Sequence, residues 1–254
     1  MPAGISVPTI LSTLRTRQAT SPALIWYGPG PERIELSGKV LDNWVAKTSN
    51  LLVDELDAEP GIRLRLDLPA HWKTLVWALA AWQTGCTVLV GQTHRDAAGA
   101  ADASAAAGGG ADVTVTASQE VLDTADGTVV AVAQGALELR WSGELPAAAV
   151  DYAAEVRSYA DTYLAGEEAG PGFTALHSAL GQDGLTLTYA QLAESAGGGT
   201  QQTLLIPAGK DLPDVLAASL RTWAAGGTVV LAAPEVEISE RLLAAEKVTA
   251  RLEE

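Results

Sequence analysis

The sequence predicts an α/β fold: two repeated, mostly parallel β-α-β subdomains with helices covering the sheets. Three observations predict it. Residues 62–92, IRLRLDLPAHWKTLVWALAAWQTGCTVLVGQ, read as strand, helix, glycine turn and strand, with Leu75, Leu79 and Trp82 on one helical face. The same unit returns at residues 203–235, where Leu216, Leu220 and Trp223 repeat that face. Each helix ends at glycine (Gly85, then Gly226-Gly227) and leads into a β-branched run, Thr87-Val88-Leu89-Val90 or Thr228-Val229-Val230-Leu231. Such runs suit strands buried on both faces, as in a parallel sheet between helices. Two copies imply two stacked sheets or one continuous doubly wound sheet.

The other elements follow in chain order. Residues 5–17 carry Ile10, Leu11 and Leu14 at helical spacing, with Pro8 near the start. Residues 22–27, PALIWY, are a strand, Gly28-Pro29-Gly30-Pro31 a turn, and residues 33–36 the returning strand of a hairpin. Ser37 caps a helix whose apolar face holds Val40, Leu41, Trp44, Val45, Leu51 and Leu52, and which ends before Pro60-Gly61. Residues 93–111 are alanine- and glycine-rich, a helix stopped by Gly108-Gly109-Gly110. Strands are predicted at 112–116, 128–133 and 136–141, a helical turn at 120–124, and a helix over 148–164. Residues 167–172 form an acidic, glycine- and proline-containing linker. This divides the chain into a first repeat with its leading helix, 1–166, and a second, 167–254. The second repeat opens with a strand at 173–176, a loop at 178–184 and a strand at 185–188. Thr188 then caps a short helix that Gly197-Gly198-Gly199 ends. Residues 239–254 are helical by propensity.

Composition excludes several function classes. The formal net charge of −15 over 254 residues repels phosphate backbones and anionic lipid, so neither nucleic acid nor a membrane is an expected partner. No apolar run approaches the ~18 residues of a membrane span, and no signal peptide opens the chain, so the cytoplasm is expected. Cys86 is the single cysteine, which excludes an intramolecular disulfide. It opens a buried strand with no cation beside it and reads as a small hydrophobe, not a nucleophile. His71, His94 and His177 lack metal-ligand spacing, and no metal is expected; His71 and His94 are expected at the surface. There is no G-x-S-x-G elbow, and His177-Ser178, adjacent on an extended segment, point apart. Gly108-Gly109-Gly110 precedes a strand, whereas a dinucleotide loop follows one. Trp44, Trp77, Trp82 and Trp223 read as core.

Several stretches together resemble the opening of the AMP-dependent synthetase and ligase family, the adenylate-forming, acyl-CoA synthetase-like enzymes. They are Ala23-Leu24-Ile25, residues 37–44, Pro60-Gly61-Ile62-Arg63-Leu64, Leu68-Pro69-Ala70, residues 81–90 and 223–231, and Glu246-Lys247-Val248-Thr249. The resemblance implies the fold of the N-terminal part of those enzymes. Their signature loop, rich in Ser, Thr and Gly and ending Pro-Lys-Gly, holds a triphosphate on backbone N–H groups and a lysine. By position, residues 175–192, ALHSALGQDGLTLTYAQL, take its place. Ser178, Gly181 and Gly184 remain there as a degenerate phosphate-loop position. The lysine is missing and Asp183 adds a negative charge. A carboxylate within ~4 Å of a phosphate costs on the order of 1–4 kcal/mol.

The chain also stops about halfway along the family's length, before the magnesium-binding glutamate, the ribose-binding aspartate and the C-terminal domain. It is similar to a group of short bacterial proteins related to AMP-binding enzymes and of unknown function. The resemblance therefore implies a truncated, degenerate relative, non-catalytic, needing no cofactor, and binding a protein partner, another copy of itself or a small ligand. Two alternatives stand beside it: an enzyme subunit completed by another chain, and a nucleotide- or acyl-binding protein using the crevice between the repeats.

Overall fold

The structure, a computed structural model, describes residues 4–91, 110–136, 138–166, 168–180, 184–207 and 209–253. Most of the alanine- and glycine-rich stretch 93–111 lies outside them, as do His94, Gly181 and Asp183.

The repeat is visible element by element. The first copy runs β1 (Pro22–Tyr27), β2 (Arg33–Ser37), α2 (Gly38–Leu56), β3 (Arg63–Asp67), α3 (Trp72–Gln83) and β4 (Thr87–Val90), after a leading helix α1 (Val7–Arg17). Three strands and a short helix follow: β5 (Val113–Thr116), α4 (Gln119–Thr124), β6 (Thr128–Ala131) and β7 (Val150–Asp151). A helical turn α5 (Tyr152–Glu155) continues as a 3₁₀ turn (Val156–Ser158). The second copy runs β8 (Thr174–Ser178), β9 (Leu185–Thr188), α6 (Tyr189–Ala196), β10 (Thr203–Ile206), α7 (Leu212–Ala224) and β11 (Thr228–Ala232). The chain closes with α8 (Glu240–Ala245) and β12 (Ala250–Arg251).

The strands form two sheets, one of five strands in the order β12-β10-β11-β1-β2, the other of seven in the order β7-β6-β5-β3-β4-β8-β9. In both copies the β-α-β unit pairs in parallel, Leu64 against Val88 and Leu204 against Val229. The hairpins, however, are exchanged. The β1–β2 hairpin of the first copy joins β11 of the second, and the β8–β9 hairpin of the second joins β4 of the first. Each sheet thus takes strands from both sides of residue 167.

Side chains fix this exchange in matching ways. The Trp82 indole Nε1 donates to the Ala175 carbonyl on β8 at 2.8 Å, and the Trp223 Nε1 donates to the Ala23 carbonyl on β1, also at 2.8 Å. The Thr87 and Thr228 hydroxyls donate to the Thr174 and Pro22 carbonyls, each at 2.7 Å. Both hairpins break register at the same place, between Pro22 and Leu24 and between Thr174 and Leu176. Ser37 and Thr188 accept from the backbone N–H three residues on, caps worth about 1 kcal/mol each. Gly85 and Gly226 both have positive φ, +87° and +75°, a turn that L side chains rarely adopt.

One continuous apolar core lies between the sheets. It joins Leu24, Trp26, Val229 and Leu231 of one sheet to Leu64, Leu66, Val88 and Val90 of the other through α1, α2, α3, α6 and α7. Smaller clusters on the outer faces pack α8 on one sheet and α4 on the other. The layering explains why α3 is buried all round, Trp72 to Trp82.

Three expectations are corrected. The helix expected over 148–164 is reduced to α5 and the 3₁₀ turn. Lys47 Nζ takes the Arg157 and Tyr159 carbonyls, and Asn50 Nδ2 takes those of Ala160 and Thr162. Side chains of α2 thus claim carbonyls that helix N–H groups would need. No strand forms at 136–141 among the described residues; Trp141 N–H donates to Asp151 Oδ2 instead. The helix expected over 239–254 ends at Ala245. Lys247 turns the chain with φ +53°, and β12 joins β10. Glu246 anchors the turn, accepting from both Tyr27 and Arg33; the Arg33 guanidinium holds its carboxyl below the usual range.

Candidate functional site

The strand order reverses at β3 in the seven-stranded sheet. β3 leads through α3 to β4 on one side, while β5 on its other side leads through α4 to β6. Connections leaving in opposite directions open a crevice at the carboxyl ends of the strands, where such folds bind ligands. A cleft of about 460 Å³ lies there, lined by Asp67, Pro69, Gly91, Ser118, Leu180 and Leu212 among others. Pro69 comes from the first copy, and Leu180 and Leu212 from the second, so the cleft lies between the repeats.

Its polar floor is small. Asp67 Oδ2 accepts from the Thr116 hydroxyl at 2.5 Å, and Thr116 Oγ1 accepts from Ser118 N–H at 2.9 Å. Thr116 is fully buried, so the contact holds the ends of β3 and β5 together. Among the described residues no lysine or arginine lines the cleft.

Leu180, just after β8, lines the cleft's other wall. Ser178 is buried, and its Oγ accepts from Leu180 N–H at 3.1 Å. Gly184 has φ +62° and packs against the Ser178 carbonyl. Gly181 lies outside the described residues. Leu180 folds back onto Gly91, φ +72°, where an added Cβ would lie 2.4 Å from Leu180 Cγ. The positive φ favours glycine at this position, and a side chain there would displace Leu180.

Beside the cleft, α3 starts in an aromatic and ionisable cluster. His71 is its N-cap, and Nδ1 accepts from Lys73 N–H at 3.2 Å. The ring packs edge-on to Trp26, centroids 4.5 Å apart. His71 was expected at the surface and is in fact buried, because Trp26 of the other sheet covers it. Burial, with Lys73 nearby, pushes its pKa down to about 3. Lys73 is buried too, donating to the Ala133 and Gly135 carbonyls; burial lowers it to about 8, with Glu138 and Glu32 acting the other way.

The remaining candidates separate. Cys86 is buried, and its thiol is pushed up to about 11, which leaves it inert. His177 Nδ1 meets the Thr186 hydroxyl at 2.8 Å, away from Ser178 Oγ. No group of three or more metal-binding side chains occurs among the described residues. No helix among them is long and apolar enough to cross a membrane. Asp67, Thr116 and Ser118 were not singled out from sequence. The only signal for them is position, at the carboxyl ends of two predicted parallel strands.

Comparison with known proteins agrees with this architecture. No family model matches the chain. The acyl-CoA synthetase of Brucella canis superposes with a TM-score of 0.74 at 16% identity, over 98% of this chain and 47% of that one. The N-terminal domain of FACL13 from Mycobacterium tuberculosis superposes with a TM-score of 0.69 at 15% identity, over 97% of this chain and 62% of that one. The chain thus spans about half the length of the solved acyl-CoA synthetase and has the fold of the N-terminal part of adenylate-forming enzymes. A TIGR03089 family protein of Mycobacterium tuberculosis (strain ATCC 25618 / H37Rv) is 30% identical over 243 residues, 94% of this chain and 95% of that protein. With that identity across nearly the whole of both chains, this protein belongs to the TIGR03089 family.

Proposed function

We propose that this protein is a non-catalytic scaffold related to adenylate-forming enzymes, one that does not grip a nucleoside triphosphate. The observation that carries this reading is the packing of Leu180 onto Gly91. The loop position that would cradle phosphate presents an apolar side chain to the cleft. Its one described hydroxyl, Ser178, is buried and accepts from Leu180 N–H. Residues 178–184 also contain no lysine or arginine, and they include Asp183. A triphosphate there would meet a carboxylate and find no cation to offset it. Incubation of the purified protein with ATP, magnesium and a panel of carboxylic acids is expected to give no pyrophosphate exchange above buffer. Exchange with any acid of the panel would refute the reading.

The cleft supports a second reading, a small-ligand binding protein. It is concave, mostly apolar and placed at the switch point of the sheet. A thermal-shift screen with AMP, CoA and acyl derivatives tests it. A ligand present at 100 times its dissociation constant stabilises by about 2.7 kcal/mol, which for a chain of this length raises Tm by roughly 5–10 °C. Ala117→Phe, at the cleft wall, is expected to abolish that shift. No shift with any compound at millimolar concentration would leave the scaffold reading alone.

A further inference from the structure

A second cavity, of about 280 Å³, lies where α1, α3, α6 and α7 meet, away from the carboxyl-end cleft. The repeat explains why it is there. Ser37 and Thr188 cap corresponding helices, so Ala193 on α6 holds the position that Asp42 holds on α2. The single helix α1 serves both. The Ile5 N–H, just before its start, donates to the Ala193 carbonyl at 2.9 Å, and Arg15 near its end pairs with Asp42 at 3.0 Å. One asymmetric helix cannot fill two equivalent grooves equally. Near its end Leu14 is buried, while at its start a cavity lies between Ile10 and α6.

Two aromatic rings wall this cavity, and both are fixed in place. Trp82 Nε1 donates to the Ala175 carbonyl, and the Tyr189 hydroxyl donates to the Cys86 carbonyl at 2.7 Å. Their polar ends are engaged, so the cavity meets rigid ring surfaces, and rigid walls lower the ordering cost of binding. Leu192 and Leu220 add apolar surface. Polarity is sparse. Gln83 Nε2 donates to Ser49 Oγ at 3.1 Å, and its Oε1 receives no donor among the described residues. Glu168 brings a carboxylate to the lining, and no lysine or arginine lines the cavity among those residues.

We infer that this cavity binds a small neutral aromatic molecule of one or two rings carrying a single hydrogen-bond donor. The ring packs against Trp82 and Tyr189, where offset or edge contacts add to simple burial. The donor reaches the Gln83 amide oxygen. A carboxylate ligand would meet Glu168 with no cation to balance it. The volume fits, since apolar cavities of about 150 Å³ already admit benzene. The site is separate from the cleft of the proposed function, and its test reads binding, not pyrophosphate, so either reading can fail alone.

The test is ¹⁹F NMR of 5-fluoroindole with the full chain. Saturable line broadening with a dissociation constant below about 1 mM is the expected result. Indole should compete, whereas benzoate and cyclohexanol should not. Ala193→Leu, which fills the cavity, should weaken binding at least about tenfold. Ala190→Phe, at an exposed position on the same lining, serves if the first variant does not fold. Absence of broadening at millimolar protein overturns the inference. So does equal competition by benzoate or cyclohexanol, or parental affinity in the folded variants.

Discussion

Trp223→Ala is expected to cost about 3–5 kcal/mol, the usual loss for a buried tryptophan. Trp82→Ala should cost nearly the same. Both side chains are almost fully buried, and each gives its Nε1 hydrogen to a carbonyl of the hairpin that the other copy lends. Truncation removes apolar contact and also strands the Ala23 or Ala175 carbonyl, which puts the loss toward the upper end of that range. Urea unfolding followed by far-UV circular dichroism measures both. A domain stable by roughly 5–15 kcal/mol should survive one change, while the double variant should lose its cooperative transition. Trp44→Ala, at a half-buried position with no such bond among the described residues, is the control and should lose less. A cost under about 2 kcal/mol for Trp223→Ala would mean that the exchanged hairpin is not held through this ring.

Acid should destabilise the protein through His71. In the fold its imidazole is neutral, buried against Trp26, and uses Nδ1 to cap α3. Lys73 and Glu32 are the charged groups nearby, the first on the same helix and the second bonded to Trp26. The folded pKa is about 3, below the ordinary value of 6.5. The unfolded chain therefore takes up a proton first as pH falls. The stability tied to the neutral ring is complete above 6.5 and drains away between 6.5 and about 3. Between pH 7 and pH 4.5 this one group should remove about 2–3 kcal/mol. His71→Asn keeps an oxygen acceptor at the cap and does not titrate, so its stability should fall less over the same range. Parallel pH profiles for the two proteins would show that His71 is protonated in the fold.

Much of the architecture was legible. Leu75, Leu79 and Trp82, and again Leu216, Leu220 and Trp223, mark helices by spacing alone, and the glycines after them mark the turns. Ser37 and Thr188 cap the helices they precede. These signals are local, with cause and effect a few residues apart. His71 was illegible because what buries it is Trp26, on a strand of the other sheet. The helix expected over 148–164 is lost to Lys47 and Asn50, more than 100 residues away in sequence. The candidate site divides in the same way. Ser178 and Gly184 lie at the end of β8 and just before β9. Asp67 and Thr116 meet across 49 residues, and only strand pairing brings them together.

The sequence alone determined that this chain carries one α/β unit twice, with helix faces, caps and turns to match, because periodicity and glycine act within a few residues. Only the tertiary structure decided that the hairpins are exchanged between copies, that Leu180 covers Gly91, and that a cavity lies between α1 and α6. Those outcomes depend on which surfaces meet when both copies bury their apolar faces together. No window of sequence contains both partners of such a contact.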